Sequence, residues 1–78
     1  MEELLRYLAT VLVDYPDDVL VTSQVHDDGS THLRLTVRRE DVGKVIGKQG
    51  RTARAIRNLV QAAGALRGER IQVQVVDD

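Results

Sequence analysis

A chain of 78 residues has room for one folded domain, and we predict a single domain over residues 1–78. A chain this short buries only about 60% of its unfolded surface, which leaves little material for a deep catalytic cavity beside a core. The lack of cysteine excludes a disulfide framework and thiolate chemistry. No apolar run approaches the ~20 residues of a membrane span, and we see no secretory signal. We therefore expect a cytoplasmic protein that is not an enzyme.

The net charge of −1 conceals a strong separation of charge along the sequence. Between residues 34 and 57, eight basic residues oppose two acidic ones, so this segment carries +6 and the remainder carries −7. Such separation creates a local positive field on a nearly neutral protein, although a solvated charged surface would show the same pattern. The basic residues are Arg34, Arg38, Arg39, Lys44, Lys48, Arg51, Arg54 and Arg57.

The first half of the sequence predicts one helix and two strands. Apolar residues at helical spacing predict a helix over residues 2–13, which ends before Pro16 because proline disfavours helical geometry at the residue before it. Strands are predicted over residues 18–26, with Val19, Val21 and Val25 on one side, and over residues 31–38. An Asp-Asp-Gly-Ser turn between them indicates an antiparallel hairpin.

The second half predicts two helices and one strand. A short helix runs from about residue 39 to Ile46, and a longer one covers residues 51–63 with Gly64 as its stop. A strand over residues 70–76 completes the order α-β-β-α-α-β. We predict an α+β fold in which three helices pack on one face of a three-stranded sheet. The last strand is expected to pair in parallel, because two helices separate it from the preceding strand.

A four-residue loop with glycine at both ends, Gly47-Lys48-Gln49-Gly50, joins the two helices of the second half. Glycine allows backbone conformations closed to other residues and lets a partner approach closely. The helix that follows presents free N–H groups and the positive end of its dipole, which together form an anion site. Two glycines could equally serve a tight helix–helix turn. The basic residues around the loop favour a phosphate chain as its ligand.

Residues 45–57, with the sequence VIGKQGRTARAIR, resemble the core of bacterial type II KH domains, and the whole chain is similar to the small KH proteins of the KhpA family. The resemblance implies a type II KH fold that binds single-stranded RNA and clamps about four backbone nucleotides on its GXXG loop. It also implies an RNA chaperone or post-transcriptional regulator linked to cell elongation and envelope homeostasis. The implied partner is a second copy or a larger KH-containing protein called KhpB. No cofactor or small-molecule substrate is implied.

The predicted RNA site is a groove beside this loop. Its loop residues would cradle the sugar-phosphate backbone, nearby cations would neutralise phosphates, and apolar residues would floor the groove for unstacked bases. A stacking platform on strand faces is not expected, because the sequence has no Trp or Phe and only two Tyr. The predicted contacts are Gly47, Lys48, Gln49, Gly50, Lys44, Arg51, Arg54, Val45 and Ile46, with Arg38, Arg39 and Arg57 as additional ones.

Four alternatives compete with this interpretation. A Walker A loop needs four residues between its glycines, whereas three separate Gly43 from Gly47. His26 and His32 beside the hairpin turn could hold a metal ion, although polar residues are usual beside turns. A wide apolar sector on the second long helix is either covered by the first helix or docks another subunit, which would make the domain an interaction module. Single-stranded DNA could replace RNA.

Overall fold

A computed structural model describes residues 1–76, and its elements follow the predicted order. The helices are α1 (Glu2–Thr10), α2 (Val42–Ile46) and α3 (Arg51–Leu66), and the strands are β1 (Leu20–Val25), β2 (Thr31–Thr36) and β3 (Ile71–Val75). Short 3-10 turns over Pro16–Asp18, Arg39–Asp41 and Lys48–Gly50 precede β1, α2 and α3.

The three strands form one mixed sheet in the order β1-β2-β3. β1 pairs antiparallel with β2, and β2 pairs parallel with β3, so Leu33 of the central strand lies between Ser23 and Val73. Both pairings confirm the predicted hairpin and parallel crossover. The crossover consists of α2, the glycine loop and α3, which is the length of connection that a parallel pair requires.

The hydrophobic core lies between one face of this sheet and the helices. Leu33 and Leu35 of the central strand are almost fully buried, and they meet Leu5 from α1, Val45 from α2 and Val60 from α3. Because side chains alternate across a strand, every second residue of each strand points to the opposite, open face. The domain thus has two layers, the helices and the sheet, with the core between them and the other face of the sheet solvated.

Two details of the prediction are wrong. Helix α1 ends at Thr10 rather than at residue 13. Gly64 does not stop α3, which continues to Leu66. It is buried against Ile71, and a Cβ there would lie 2.4 Å from Cγ1 of Ile71.

No helix in the described part of the chain combines the length and the apolar composition needed to cross a membrane.

Candidate nucleic-acid interface

The loop between α2 and α3 depends on both of its glycines. Gly47 has φ +76° and Gly50 has φ +75°, which are conformations that other residues rarely adopt. The two positions differ in the space around them. A Cβ at Gly47 would lie 2.1 Å from Oγ1 of Thr52, whereas a Cβ at Gly50 would meet nothing within 4 Å. Gly47 is therefore required by a close contact as well as by its backbone angle.

The two residues between the glycines project into solvent. Lys48 and Gln49 are exposed, and Gln49 has a left-handed backbone with φ 56° and ψ 27°. That conformation costs roughly 1–2 kcal/mol in a residue with a Cβ, so the surrounding turn must enforce it. Nη2 of Arg51 lies 3.4 Å from Oε1 of Gln49 and can donate to it. The result is an exposed loop whose backbone is open to a ligand.

The positive end of the dipole of α3 has no side-chain partner. Its N-cap is Gly50, no side chain caps it, and its first turn contains no acidic residue. The N–H group of Arg51 donates to the carbonyl of Lys48, and the positive end of the dipole of this 16-residue helix lies at the loop without an acidic side chain in its first turn. This arrangement favours a bound anion beside the GXXG loop.

Four basic residues of the loop and of α3 also lack an acidic partner. Lys48, Arg51 and Arg54 are exposed and Arg57 is half-buried. Within residues 1–76, none of the four has a carboxylate at ion-pair distance. Lys48 lies in the loop itself, and the three arginines lie on α3, which begins directly after the loop. We call Lys48, Arg51, Arg54 and Arg57 the free cations.

Lys44 lies on α2 in a different electrostatic setting. Its Nζ is 3.1 Å from Oδ2 of Asp14 and 3.4 Å from Oδ1 of Asp41. The hydrogen bond to Asp14, together with Asp41, raises the pKa of Lys44 above its ordinary value. Lys44, which the sequence predicts to neutralise a phosphate, is therefore already paired with two carboxylates.

Asp41 is the centre of this second cluster. Its side chain is 0% exposed and accepts hydrogen bonds from the backbone N–H groups of Asp14, at 3.2 Å, and Tyr15, at 3.0 Å. Burial alone would raise the pKa of Asp41, but these two N–H groups and the Lys44 ammonium outweigh it and hold the pKa below its ordinary value. Asp41 thus fastens the α1–β1 loop to the start of α2. We call Asp14, Asp41 and Lys44 the Asp41 cluster.

The two arginines before α2 also differ from each other. Arg38 makes ion pairs with Asp18, at 3.6 Å, and Glu40, at 3.0 Å, and its guanidinium lies 4.0 Å from the ring centroid of Tyr15. Arg39 is exposed and has no carboxylate partner in the part of the chain that is described. Of this pair, only Arg39 presents a charge that is not already compensated.

The two apolar residues that were expected to floor the groove also differ from each other, in their burial. Val45 is 0% exposed and belongs to the core, so it supports the surface from beneath, whereas Ile46 is half-buried directly before the loop. From the sequence, Asp41 is one of the two acidic residues of the basic segment and suits the first turn of a helix, where it opposes the helix dipole. Its role depends on backbone groups 26 and 27 residues away, which no local pattern reveals.

A sequence model of the KH domain of KhpA and KhpB proteins matches residues 2–75. The chain belongs to this family. Curated relatives include the RNA-binding proteins KhpA of Halalkalibacterium halodurans, 49% identical over 78 residues and covering 99% of this chain and 100% of the relative. KhpA of Bacillus subtilis is 47% identical over 77 residues, covering 99% and 94%, and KhpA of Clostridium acetobutylicum is 47% identical over 76 residues, covering 97% and 100%.

Solved structures confirm the predicted fold class. The chain is similar to Era from Aquifex aeolicus in a GDP–aluminium fluoride complex, with a TM-score of 0.64 and 20% identity. It is equally similar to Era in complex with MgGDPNP and a segment of 16S ribosomal RNA, again with a TM-score of 0.64. The match covers 99% of this chain but only 31% and 30% of the two Era chains. The likeness establishes a shared KH-type α+β fold.

Proposed function

We propose that this protein binds single-stranded RNA at the corner formed by the GXXG loop, the free cations and the N-terminus of α3. The observation that carries the proposal is the uncompensated charge there. Three exposed cations, Lys48, Arg51 and Arg54, surround an uncapped helix N-terminus, and none of them has a carboxylate partner in residues 1–76. The curated relatives named as RNA-binding proteins, which align over nearly the whole chain, support the same ligand.

In this proposal the loop binds the sugar-phosphate backbone rather than particular bases. Gly47 and Gly50 keep the backbone accessible, Lys48 and Gln49 contact it, and a KH loop of this type clamps about four nucleotides. Ile46 contributes apolar surface to the groove. Lys44 acts by holding the loop's first helix in place, and Arg39 and Arg57 extend the positive surface. We expect weak binding with little sequence discrimination, since backbone contacts carry no sequence information.

Fluorescence anisotropy with labelled single-stranded RNA tests this proposal. The variant Lys48→Asp/Gln49→Asp places two carboxylates where phosphates would lie and leaves the core untouched. We expect it to weaken binding by at least about tenfold, because each backbone contact is largely electrostatic. Circular dichroism should show that the variant retains its fold.

A matched control is Arg6→Asp/Ser23→Asp, which makes the same change in net charge at exposed positions on α1 and β1. It should bind RNA nearly as well as the wild type. Equal weakening by both variants would contradict a specific site at the loop. Single-stranded DNA of the same sequence tests the sugar preference, and equal affinity for DNA would contradict selectivity for RNA.

We infer from family membership that the cellular role is that of a cytoplasmic RNA chaperone or post-transcriptional regulator, associated with cell elongation and envelope homeostasis, acting by binding and not by catalysis. A domain with weak, sequence-tolerant affinity suits a chaperone, because it can release one RNA conformation and bind another. Acceleration of strand annealing between two complementary structured RNAs would support this role. Annealing that proceeds at the same rate with wild type, with the Lys48→Asp/Gln49→Asp variant and without protein would contradict it.

A second function, docking on another KH subunit, is favoured by the exposed side of α3. Of the two alternatives for this sector, cover by α1 does not hold, because Leu59 is 50% and Leu66 is 90% exposed. With Ala55 and Ala62 they form an apolar stripe at spacings of four, three and four residues. We propose that a second copy or a KhpB-type protein covers this stripe, which would place two GXXG loops on one particle and raise avidity for long RNA.

The stripe is tested by light scattering coupled to size-exclusion chromatography. Leu59→Glu should convert a dimer to a monomer, because it buries a charge in an apolar contact. The neighbouring change Asn58→Glu, at another exposed position of α3, should leave the dimer intact. A wild type that is monomeric at all concentrations, and that does not bind KhpB, would contradict this second function.

A further inference from the structure

The open face of the sheet carries an ordered set of polar side chains that the proposed groove does not use. The strand registers place them in two rows across the sheet. Thr22, Arg34 and Gln74 form one row, and Gln24, His32 and Gln72 form the next. All six belong to the solvated side opposite the buried Leu33 and Leu35, and all but the half-buried His32 are exposed. No carboxylate occurs among them.

A stacked pair of imidazole rings stands at one end of this surface. The rings of His26 and His32 have centroids 3.5 Å apart and an interplanar angle of 16°. The Ser30 hydroxyl donates to Oδ1 of Asp28 at 2.6 Å, and its oxygen lies 3.2 Å from Nε2 of His32, which is thus placed to donate to it. Ser30 is 5% exposed, so this chain of hydrogen bonds holds the His32 ring in position.

Arg34 lies in the row next to His32 on the same strand. Unlike Arg38 and Lys44, it has no ion-pair partner among residues 1–76. Imidazole rings and guanidinium planes are both surfaces on which unpaired nucleobases stack, and amide side chains hydrogen-bond base edges. The absence of Trp and Phe predicts no stacking platform on the strands, but His32 and Arg34 are stacking groups of another kind on this face.

We propose that the open face of the sheet, centred on His32 and Arg34, is a second contact surface for the bases of single-stranded RNA. The amides of Gln24, Gln72 and Gln74 surround the two stacking groups and supply donors and acceptors at strand spacing. The face thus offers base contacts, whereas the GXXG loop offers phosphate contacts. An acidic polypeptide is the less suitable ligand, because the six side chains include a single permanent cation.

The proposal rests on RNA as the ligand of this protein, but it concerns a different surface. The loop joins two helices of the helix layer, the proposed surface is the sheet face turned away from that layer, and the shortest dimension of the molecule is 19 Å. An RNA of about four nucleotides fills only a GXXG loop. A longer RNA of about 16 nucleotides, the upper end of what one small single-strand-binding domain covers, can reach both.

Anisotropy with RNAs of both lengths tests the second surface. The variant Arg34→Glu should weaken binding of the long RNA by about five- to tenfold, since loss of one stacked base commonly costs this much. It should leave the short RNA within about twofold of wild type, because that ligand occupies only the GXXG loop. The control Arg6→Glu makes the same charge change on α1 and should have little effect on either RNA. Gln74→Glu, which keeps the size of the side chain opposite Arg34, should reproduce the loss without altering the hairpin.

Each outcome separates this proposal from the proposed function. Equal effects of Arg34→Glu and Arg6→Glu on the long RNA would overturn the second surface while leaving the GXXG site intact. Loss of long-RNA binding by Arg34→Glu but not by Lys48→Asp/Gln49→Asp would overturn the GXXG site and support the sheet. In NMR titrations of wild type, the side-chain amides of Gln24, Gln72 and Gln74 should shift with the long RNA. Stronger shifts with poly-glutamate would overturn the proposal in favour of an acidic polypeptide.

Discussion

The two ends of helix α2 lie in opposite electrostatic surroundings. At its start, the Asp41 cluster pairs one lysine with two carboxylates, and one of these carboxylates is fully buried. After its last turn, the free cations surround a loop and a helix N-terminus with no carboxylate partner in the part of the chain that the structure covers. Basic residues that look alike in the sequence therefore differ in the structure, since Lys44 is paired with carboxylates and the free cations are not.

The difference follows from the cost of burying charge. A buried carboxylate must have its hydrogen bonds and a charge partner supplied by the protein, so the groups around Asp41 are committed to stability. Exposed cations are stabilised by water and can exchange that water for phosphate oxygens. We expect substitutions in the Asp41 cluster to change the free energy of unfolding, and substitutions among the free cations to change RNA affinity.

The largest expected effect on stability belongs to Asp41→Ala. It leaves two backbone N–H groups and the Lys44 ammonium without their shared partner. We expect the Tm to fall by on the order of 15 °C for a domain of this size. Asp17→Ala, at an exposed position in the same α1–β1 connection, is the control and should change the Tm by only a few degrees. Similar losses in both variants, measured by thermal denaturation, would contradict the fastening role.

Acid should remove this stabilisation in a defined pH range. The pKa of Asp41 is held below its ordinary value of 3.8, so its contribution is fully present above about pH 4 and is lost as the pH falls through the lower folded-state pKa. The difference in stability between wild type and Asp41→Asn should therefore be constant from pH 5 to 8 and shrink below about pH 4. Urea denaturation at each pH measures this difference, and a gap that widens in acid would refute the assignment.

The glycines near the loop should separate into three classes. Gly47→Ala forces a Cβ against Thr52 and should cost about 2–3 kcal/mol, whereas Gly50→Ala has only its positive φ to overcome and should cost about 1 kcal/mol. Gly43→Ala is the matched control within α2, where a Cβ would meet nothing within 4 Å, and should stabilise by about 0.5–1 kcal/mol. Urea midpoints give the three values, and an equal cost at Gly47 and Gly43 would show that the loop can relax.

The smallest expected effect is the difference between Arg54 and Lys44 in the salt dependence of RNA binding. If Lys48, Arg51 and Arg54 neutralise about three phosphates, log affinity falls against log salt with a slope of roughly −2. Arg54→Gln should reduce the size of that slope by about 0.7, and Lys44→Gln should leave it unchanged because Lys44 is held by Asp14 and Asp41. A lower slope in Lys44→Gln would return this residue to the RNA site.

The order of elements could be predicted because each amphipathic segment has a clear period, and both strand pairings followed from the short turn and the two-helix crossover. The role of Gly64 could not, since it depends on Ile71 packing against α3. The GXXG residues could be located in the sequence, and their binding role stays a prediction. The division between Lys44 and the free cations required the structure, because Asp14 is 30 residues from Lys44 in the chain.

A two-dimensional NMR titration with a short RNA of about four nucleotides tests the central claim most directly, because this ligand is just long enough to fill a GXXG loop. The account predicts that the backbone amides of residues 47–54 shift most, with those of Asp14 and Tyr15 nearly unchanged. If the largest shifts lie instead on the apolar stripe of α3 or on the open face of the sheet, while the loop amides stay in place, the GXXG corner is not the RNA site.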